Sequence, residues 1–203
     1  MFDDLLRALK DRLLAPAARA VGRRLSPTAV TLLAFAAGLG AALCAARARD
    51  GAALALWLLN RLLDGFDGTL ARATGRQTDA GGYLDLVLDF AVYAAVPVGL
   101  VLGRPSTALA LAGLALVASY YVNAASWMYL SAILERRGAG AAARGERTTV
   151  TIPPGLIGGT ETVVFYAVCF LLPGRLVALF AGFAALVLAT AGQRVWWGVR
   201  ALR

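Results

Sequence analysis

The chain has no histidine, two cysteines and only 16% charged residues among 203. Without imidazole, a general base has to come from a carboxylate, and the two thiols offer little to a soft metal ion. Cys44 and Cys169 lie within apolar runs and read as small buried hydrophobes, which argues against a disulfide framework. No internal repeat, low-complexity tract or separable second domain is visible. The first 24 residues are charged throughout and lack the apolar core of a cleavable signal peptide. What the chain has instead is apolar surface: 60% hydrophobic residues and a mean hydropathy of +0.70 exclude an ordinary soluble domain. The net charge of +8 does not point to nucleic acid, because the arginines fall between the apolar runs and near the termini, as in a membrane protein.

Residues 2–15 read as an amphipathic helix, with Phe2, Leu5, Leu6, Leu9 and Leu13 at helical spacing and Arg7, Lys10, Asp11 and Arg12 on other faces. Such a helix suits the anionic cytoplasmic leaflet, or the protein's own cytosolic face. Ser26-Pro27 is a helix start, and six apolar runs follow. They cover about 28–46, 52–63 (continuing helically to Arg72), 82–102, 107–134, 156–172 and 176–196. The expectation is an all-α integral membrane protein with six transmembrane helices. It would form one membrane domain over 1–203, with a cytoplasmic amphipathic segment at 1–24 and a six-helix core at 28–197. Six spans put both termini on one side. That side collects fifteen basic residues against four on the other, with Arg61 inside the second span, so the termini are expected in the cytoplasm and the protein in the inner (plasma) membrane.

Within this apolar background the stretch from Asp64 to Asp89 carries four carboxylates, Asp64, Asp67, Asp85 and Asp89. Spacings of three and four residues put each pair on one helix face, and a short polar turn at 73–80 joins the two segments. Antiparallel helices can aim all four at one point on the cytosolic side. Four negative charges do not converge in a low-dielectric setting without compensation, and hard oxygen ligands select magnesium, manganese or calcium over zinc. Two such ions suit phosphoryl or phosphatidyl transfer, where they neutralise a pyrophosphate. Asp64, Asp67 and Asp85 are the first-choice ligands for Mg2+ or Mn2+. Asp89, one turn beyond Asp85, is the candidate general base and also within reach of a second metal.

The spacing Asp-x-x-Asp-Gly-x-x-Ala-Arg, eight residues, Gly-x-x-x-Asp-x-x-x-Asp, on Asp64, Asp67, Gly68, Ala71, Arg72, Gly81, Asp85 and Asp89, resembles the signature of the CDP-alcohol phosphotransferase family. The resemblance implies the same division of labour among the acids: an acceptor hydroxyl attacks the phosphate bearing the alcohol or lipid, and CMP leaves. It also implies cytidine packing at Gly68 and Ala71, where helix–helix contact is the plain alternative. Arg72 would pair with a phosphate of the CDP group or serve topology alone. Gly81 would permit a tight start to the third helix. Relatives often read Ser/Thr-Pro-Asn ahead of the first span, whereas here Ser26-Pro27-Thr28 stands, so Thr28 or Thr31 would have to replace the asparagine at the nucleotide. A homodimer is implied by the resemblance alone.

The acceptor side is less legible. Arg136 and Arg137, with Arg144 and Arg147, form a basic glycine-containing loop that suits a phosphorylated acceptor, a lipid headgroup or plain positive-inside anchoring. Glu161, an ionisable residue just inside the fifth span, would contact the acceptor or balance Arg72 or Arg61. Asn123 and Ser126 would line the same cavity or bridge helices. The donor expected is CDP-diacylglycerol, acting with a small alcohol acceptor in phospholipid biosynthesis. The alternatives are a CDP-choline/ethanolamine-type enzyme acting on diacylglycerol, a carboxylate-based ion or proton transporter, and a catalytically silent membrane scaffold.

Overall fold

The computed structural model describes residues 14–18, 20–22, 25–141, 143, 145, 151, 153 and 155–203, and among them all regular structure is helical. The amphipathic segment expected at 2–15 lies almost wholly outside the described residues, as do Arg144 and Arg147. Residues 14–18 and 20–21 are helical, and Ala18 is buried against Val30 and Leu70.

Helix α1 spans Pro27–Ala46 and begins as the sequence expects: Ser26 Oγ accepts the Ala29 N–H at 3.1 Å, and proline opens the first turn. Helix α2 spans Asp50–Thr74. It ends at Gly75, whose φ of 65° lets the chain reverse, with Gly75 N–H on the Arg72 carbonyl and Arg76 N–H on the Ala71 carbonyl. This paired closure satisfies two end carbonyls and needs a left-handed residue, which glycine supplies without steric cost. Helix α3 spans Asp79–Gly103, capped by Thr78, whose hydroxyl accepts the Gly81 N–H at 3.1 Å. Gly81 sits inside the first turn, where a Cβ would meet the capping Thr78 Oγ1 at 3.1 Å, and the chain reversal before it falls on Gly75. Helix α4 spans Thr107–Arg136, α5 spans Gly159–Leu171, and a 3-10 turn at Pro173–Arg175 leads into α6, Leu176–Leu202. The six helices follow the six expected runs, and α6 continues past the apolar stretch by nearly two turns.

Four helical stretches are long and apolar enough to cross a membrane: α1, α3, α4 and Pro173–Leu202. Only 28–39% of their apolar windows is buried, so most of this surface faces outward, as it does in lipid rather than water. The other two helices differ for separate reasons. With 25 residues α2 has the length, but it carries Asp50, Arg61, Asp64, Asp67 and Arg72. The 13 residues of α5 are apolar but span only about 20 Å at 1.5 Å per residue.

The chain divides into two compact units. The first, residues 1–106 with 163–173, holds α1 to α3 and most of α5. Both α2 and α3 pack against α1. The contact is close because small residues line it: Ala34, Ala37, Ala41 and Ala45 are buried on α1. A Cβ at Gly99 or Gly103 of α3 would collide with the carbonyl oxygens of Ala42 or Ala45. Asn60 of α2, 1% exposed, donates to the Ala34 carbonyl at 2.8 Å. Pro97 inside α3 has no N–H, which removes the helical partner of the Tyr93 carbonyl; the Tyr166 hydroxyl of α5 donates to that oxygen at 3.2 Å. The second unit, residues 107–162 with 174–203, is built on the packing of α4 and α6. In it the backbone N–H groups of Leu156 and Ile157 donate to Gln193 Oε1 (3.0 Å) and Thr190 Oγ1 (2.9 Å), which fastens the segment before α5 to α6.

Candidate active site

The four aspartates all lie in the first unit, Asp64 and Asp67 on the last turns of α2 and Asp85 and Asp89 on the first turns of α3. Asp64 is close enough to feel the charges of Asp89, Asp85 and Asp67 together with that of Arg61. Asp67 is buried at 4% exposure, and its Oδ2 receives the Thr31 hydroxyl at 2.6 Å. Thr31 Oγ1 also lies 3.1 Å from the Pro27 carbonyl, so α1 presents its hydroxyl toward α2 from a fixed first turn.

Arg61 brings a cation to these acids. Its Nη2 donates to Asp89 Oδ1 at 2.7 Å, and Nη1 lies 3.7 Å from Asp64 Oδ2. Only 8% of the Arg61 side chain is exposed, against 26% for Asp64 and 27% for Asp89. Two more hydrogen bonds hold the guanidinium: Nε donates to Asn60 Oδ1 at 2.6 Å and Nη1 to the Tyr93 hydroxyl at 3.1 Å. Its carbon stands 4.9 Å from the Trp57 ring and 5.1 Å from the Tyr93 ring, within cation–π range. Trp57, Tyr93 and Tyr166 pack together, and Trp57 Nε1 donates to the Val163 carbonyl at 3.1 Å, so the cage around Arg61 is itself anchored. The sequence marks Arg61 only as a charge within the second span. Its position three residues before Asp64 is the signal that it shares that helix face.

Gly68 and Arg72 are neighbours one turn apart. A Cβ at Gly68 would meet Arg72 Nη1 at 3.2 Å, so the guanidinium lies over the space the glycine leaves. Arg72 is exposed and Ala71 half-buried. The residues considered for the acceptor lie in the second unit and are not all gathered together. Arg136 is exposed at the end of α4, and Arg137 Nη1 donates to the Leu202 carbonyl at 3.1 Å. Glu161 Oε2 accepts the Gly158 N–H at 2.9 Å, closing the start of its own helix. Ser126 turns its hydroxyl to the Asn123 carbonyl at 2.6 Å. Asn123 Oδ1 accepts from Arg194 Nη1 at 2.8 Å. Arg194 also donates from Nε to the Pro153 carbonyl at 3.1 Å, is only 5% exposed, and forms no salt bridge with a carboxylate among the described residues. A buried guanidinium held by neutral oxygens is suited to an anion. The sequence places it among the positive-inside charges and gives no sign of its burial.

Among the described residues no three acidic, histidine or cysteine side chains stand together as a ready-made metal cluster. The donor chemistry nonetheless suits a hard divalent cation. The facing ends of α2 and α3 offer carboxylate oxygens only, with Arg61 between Asp64 and Asp89, and such hard donors select magnesium or manganese over softer ions.

Among the described residues, then, a helical hairpin carries the paired carboxylates, with an α1 hydroxyl on Asp67 and the Arg61 guanidinium on Asp89. The sequence profile described as CDP-alcohol phosphatidyltransferase matches residues 24–196, and the chain belongs to that family. It is similar to the inner membrane protein YnjF of Escherichia coli (strain K12), with 36% identity over 179 residues, 88% of this chain and 85% of that protein. A second relative is the bifunctional IPC transferase and DIPP synthase of Rubrobacter xylanophilus, 39% identical over 142 residues, 66% of this chain but 32% of that longer protein. The fold is that of the phosphatidylinositol phosphate synthase PgsA1 of Mycobacterium tuberculosis. The PgsA1 crystal structure with CDP-DAG bound aligns over 91% of this chain and 92% of that one, at 24% identity and a TM-score of 0.72. Its complex with manganese and citrate aligns over 90% of this chain and 88% of that one, at 24% identity and a TM-score of 0.69.

Proposed function

We propose that this chain transfers a phosphatidyl group from CDP-diacylglycerol to the hydroxyl of a small alcohol, releasing CMP, as a step of phospholipid biosynthesis. The observation that carries the reading is the eight-position motif laid across α2 and α3, with Arg61 standing 3.7 Å from Asp64 of one helix and 2.7 Å from Asp89 of the other. Membership of the family and the CDP-DAG complex of PgsA1 support the donor. In this reading Asp64, Asp67, Asp85 and Asp89 hold two Mg2+ or Mn2+ ions, a choice supported by the manganese complex of PgsA1. Bound there, the ions supply neutralisation of the donor's pyrophosphate and of the charge that gathers on departing CMP. Asp89 takes the proton of the acceptor hydroxyl. The acceptor oxygen forms its bond to the phosphorus that carries the lipid, and the bond from that phosphorus to the CMP oxygen breaks. Gly68 and Ala71 leave room for the nucleotide, with Arg72 and Thr31 at its polar groups. Arg136, Arg137, Glu161 and Asn123 are assigned to the acceptor. The burial of Arg194 beside Asn123 favours an acceptor that carries its own phosphate.

The wider reading is a single catalytic domain with six spans, α2 and α5 completing the four long apolar helices. The termini and the active site face the cytosol, the chain sits in the inner membrane, and the enzyme works as a homodimer. The test is CMP release by purified protein in lipid with Mg2+ or Mn2+, CDP-diacylglycerol and a pool of alcohols, against an EDTA control. Metal-dependent CMP release that stops when one alcohol is withheld supports the reading and names the acceptor. Release only from CDP-choline or CDP-ethanolamine with diacylglycerol reverses the roles of the substrates. Ion flux without CMP from any donor overturns the transferase.

A further inference from the structure

Beyond the assigned acids, the most elaborately built feature of the first unit is the seat of Arg61. A guanidinium is costly to bury, and here each of its three nitrogens donates a hydrogen bond to a side chain of α2 or α3. Asn60 fixes Nε, the Tyr93 hydroxyl fixes Nη1, the edge-to-face pair Trp57 and Tyr93 packs against the guanidinium, and Nη2 is left to reach Asp89. Asn60 is in turn pinned to the backbone of α1 through the Ala34 carbonyl. The arginine therefore cannot follow Asp89; Asp89 has to come to it. Only Oδ1 of Asp89 is engaged, and Oδ2 accepts no hydrogen bond from the described residues.

We propose that Arg61 is a positioning residue for Asp89. It holds Oδ1 so that Oδ2 is presented to the acceptor hydroxyl, and it limits Asp89 to a shared hold on the second metal ion, so that the carboxylate is not taken up wholly as a ligand. This rests on the transfer reaction proposed above. Two consequences follow from charge and geometry. As a cation 2.7 Å from Asp89 and 3.7 Å from Asp64, Arg61 competes with a divalent ion for two of its four carboxylates, so the site binds metal less tightly than the acids alone would. In exchange, one acid keeps a free oxygen and a fixed orientation. A carboxylate held in this way acts through its direction as much as through its charge.

The experiment compares wild type, Arg61→Gln and Arg61→Lys in lipid nanodiscs. Mn2+ affinity is measured by electron paramagnetic resonance without substrate, and kcat and KM for CDP-diacylglycerol are measured separately. In Arg61→Gln the competing charge is gone, so Mn2+ binding tightens by about tenfold. The same variant loses kcat by roughly 10- to 100-fold, the scale seen when a group that orients a site carboxylate is removed. Its donor KM stays within about twofold, because the change is made behind the base rather than at the nucleotide. Arg61→Lys keeps the charge but cannot reach Asp89 and the Tyr93 hydroxyl with one fork, so its Mn2+ affinity stays near wild type while kcat falls. A folded Arg61→Gln whose Mn2+ affinity is unchanged or weaker overturns the proposal. If Arg61→Gln does not fold, Arg61→Lys decides: wild-type kcat in that variant is equally fatal. Wild-type protein that neither binds Mn2+ nor releases CMP defeats the transferase itself, whereas wild-type turnover with an indifferent Arg61 defeats only this inference.

Discussion

The bond from Thr31 to Asp67 offers the cleanest measurement of how the site is held together. Both residues are nearly inaccessible, at 7% and 4% exposure, and the oxygens are 2.6 Å apart. Thr31→Val preserves the shape and removes only the donor. A hydrogen bond to an ionised group is worth about 1.5–3 kcal/mol, and with so little water available to replace it the upper half of that range is expected. At 1.36 kcal/mol per decade this corresponds to roughly 45- to 160-fold in the folding equilibrium of the metal-free protein. The value is isolated by a double-mutant cycle with Asp67→Asn, read from equilibrium unfolding in mixed detergent with EDTA present. Each single variant should destabilise, and the pair should cost less than the sum by about 2 kcal/mol. A coupling energy below about 0.5 kcal/mol would refute the geometry, since additivity at that level describes residues that share no bond. The same variant separates the two roles open to Thr31. A nucleotide contact raises the donor KM at saturating metal, whereas a hold on Asp67 alone lowers stability and metal affinity and leaves that KM in place.

Two further outcomes follow from the same framework. Asp89→Asn should abolish turnover while metal-dependent CDP-lipid binding persists, and Asp64→Asn or Asp67→Asn should lose metal and activity together; equal loss of binding in every variant would make Asp89 an obligatory ligand. Tyr166→Phe should cost about 1–3 kcal/mol by withdrawing the donor from the carbonyl that Pro97 leaves without a helical partner. Pro97→Ala restores that N–H, so the same Tyr166→Phe change made on the Pro97→Ala background should be nearly neutral in thermal unfolding, and an undiminished loss there would show that the tyrosine acts through ring packing instead.

The helices were legible because their causes are local. Ser26-Pro27 opens α1 and the apolar runs set the lengths of α1, α3 and α4, all properties of consecutive residues. Less was legible where the cause is tertiary. Gly81 does sit at the tight start of α3, against the Thr78 cap, but the reversal before it falls on Gly75, whose left-handed backbone nothing in the motif spacing marks. Likewise the glycines of α3 look unremarkable in an apolar run, and only the approach of the Ala42 and Ala45 carbonyls gives Gly99 and Gly103 their purpose.

At the site the same division holds, with a sharper consequence. Spacing alone puts each aspartate pair on a helix face, because three- and four-residue intervals are helical geometry. What compensates their charge is another matter: a lone arginine in a span has no intrinsic partner, and several acids compete for it. Packing decides in favour of Asp89. Trp57 lies one turn before Arg61 on α2, while Tyr93 lies one turn beyond Asp89 on α3, so the two rings close over the guanidinium from both helices. Asn60, adjacent to Arg61 in sequence, points instead to α1 and takes Nε as it does so. An arginine fixed by three helices cannot be read as a mobile topological charge. Its reach ends where the carboxylates begin, which is why an arginine that the sequence leaves without a partner becomes, in three dimensions, a built-in cation of the acidic site.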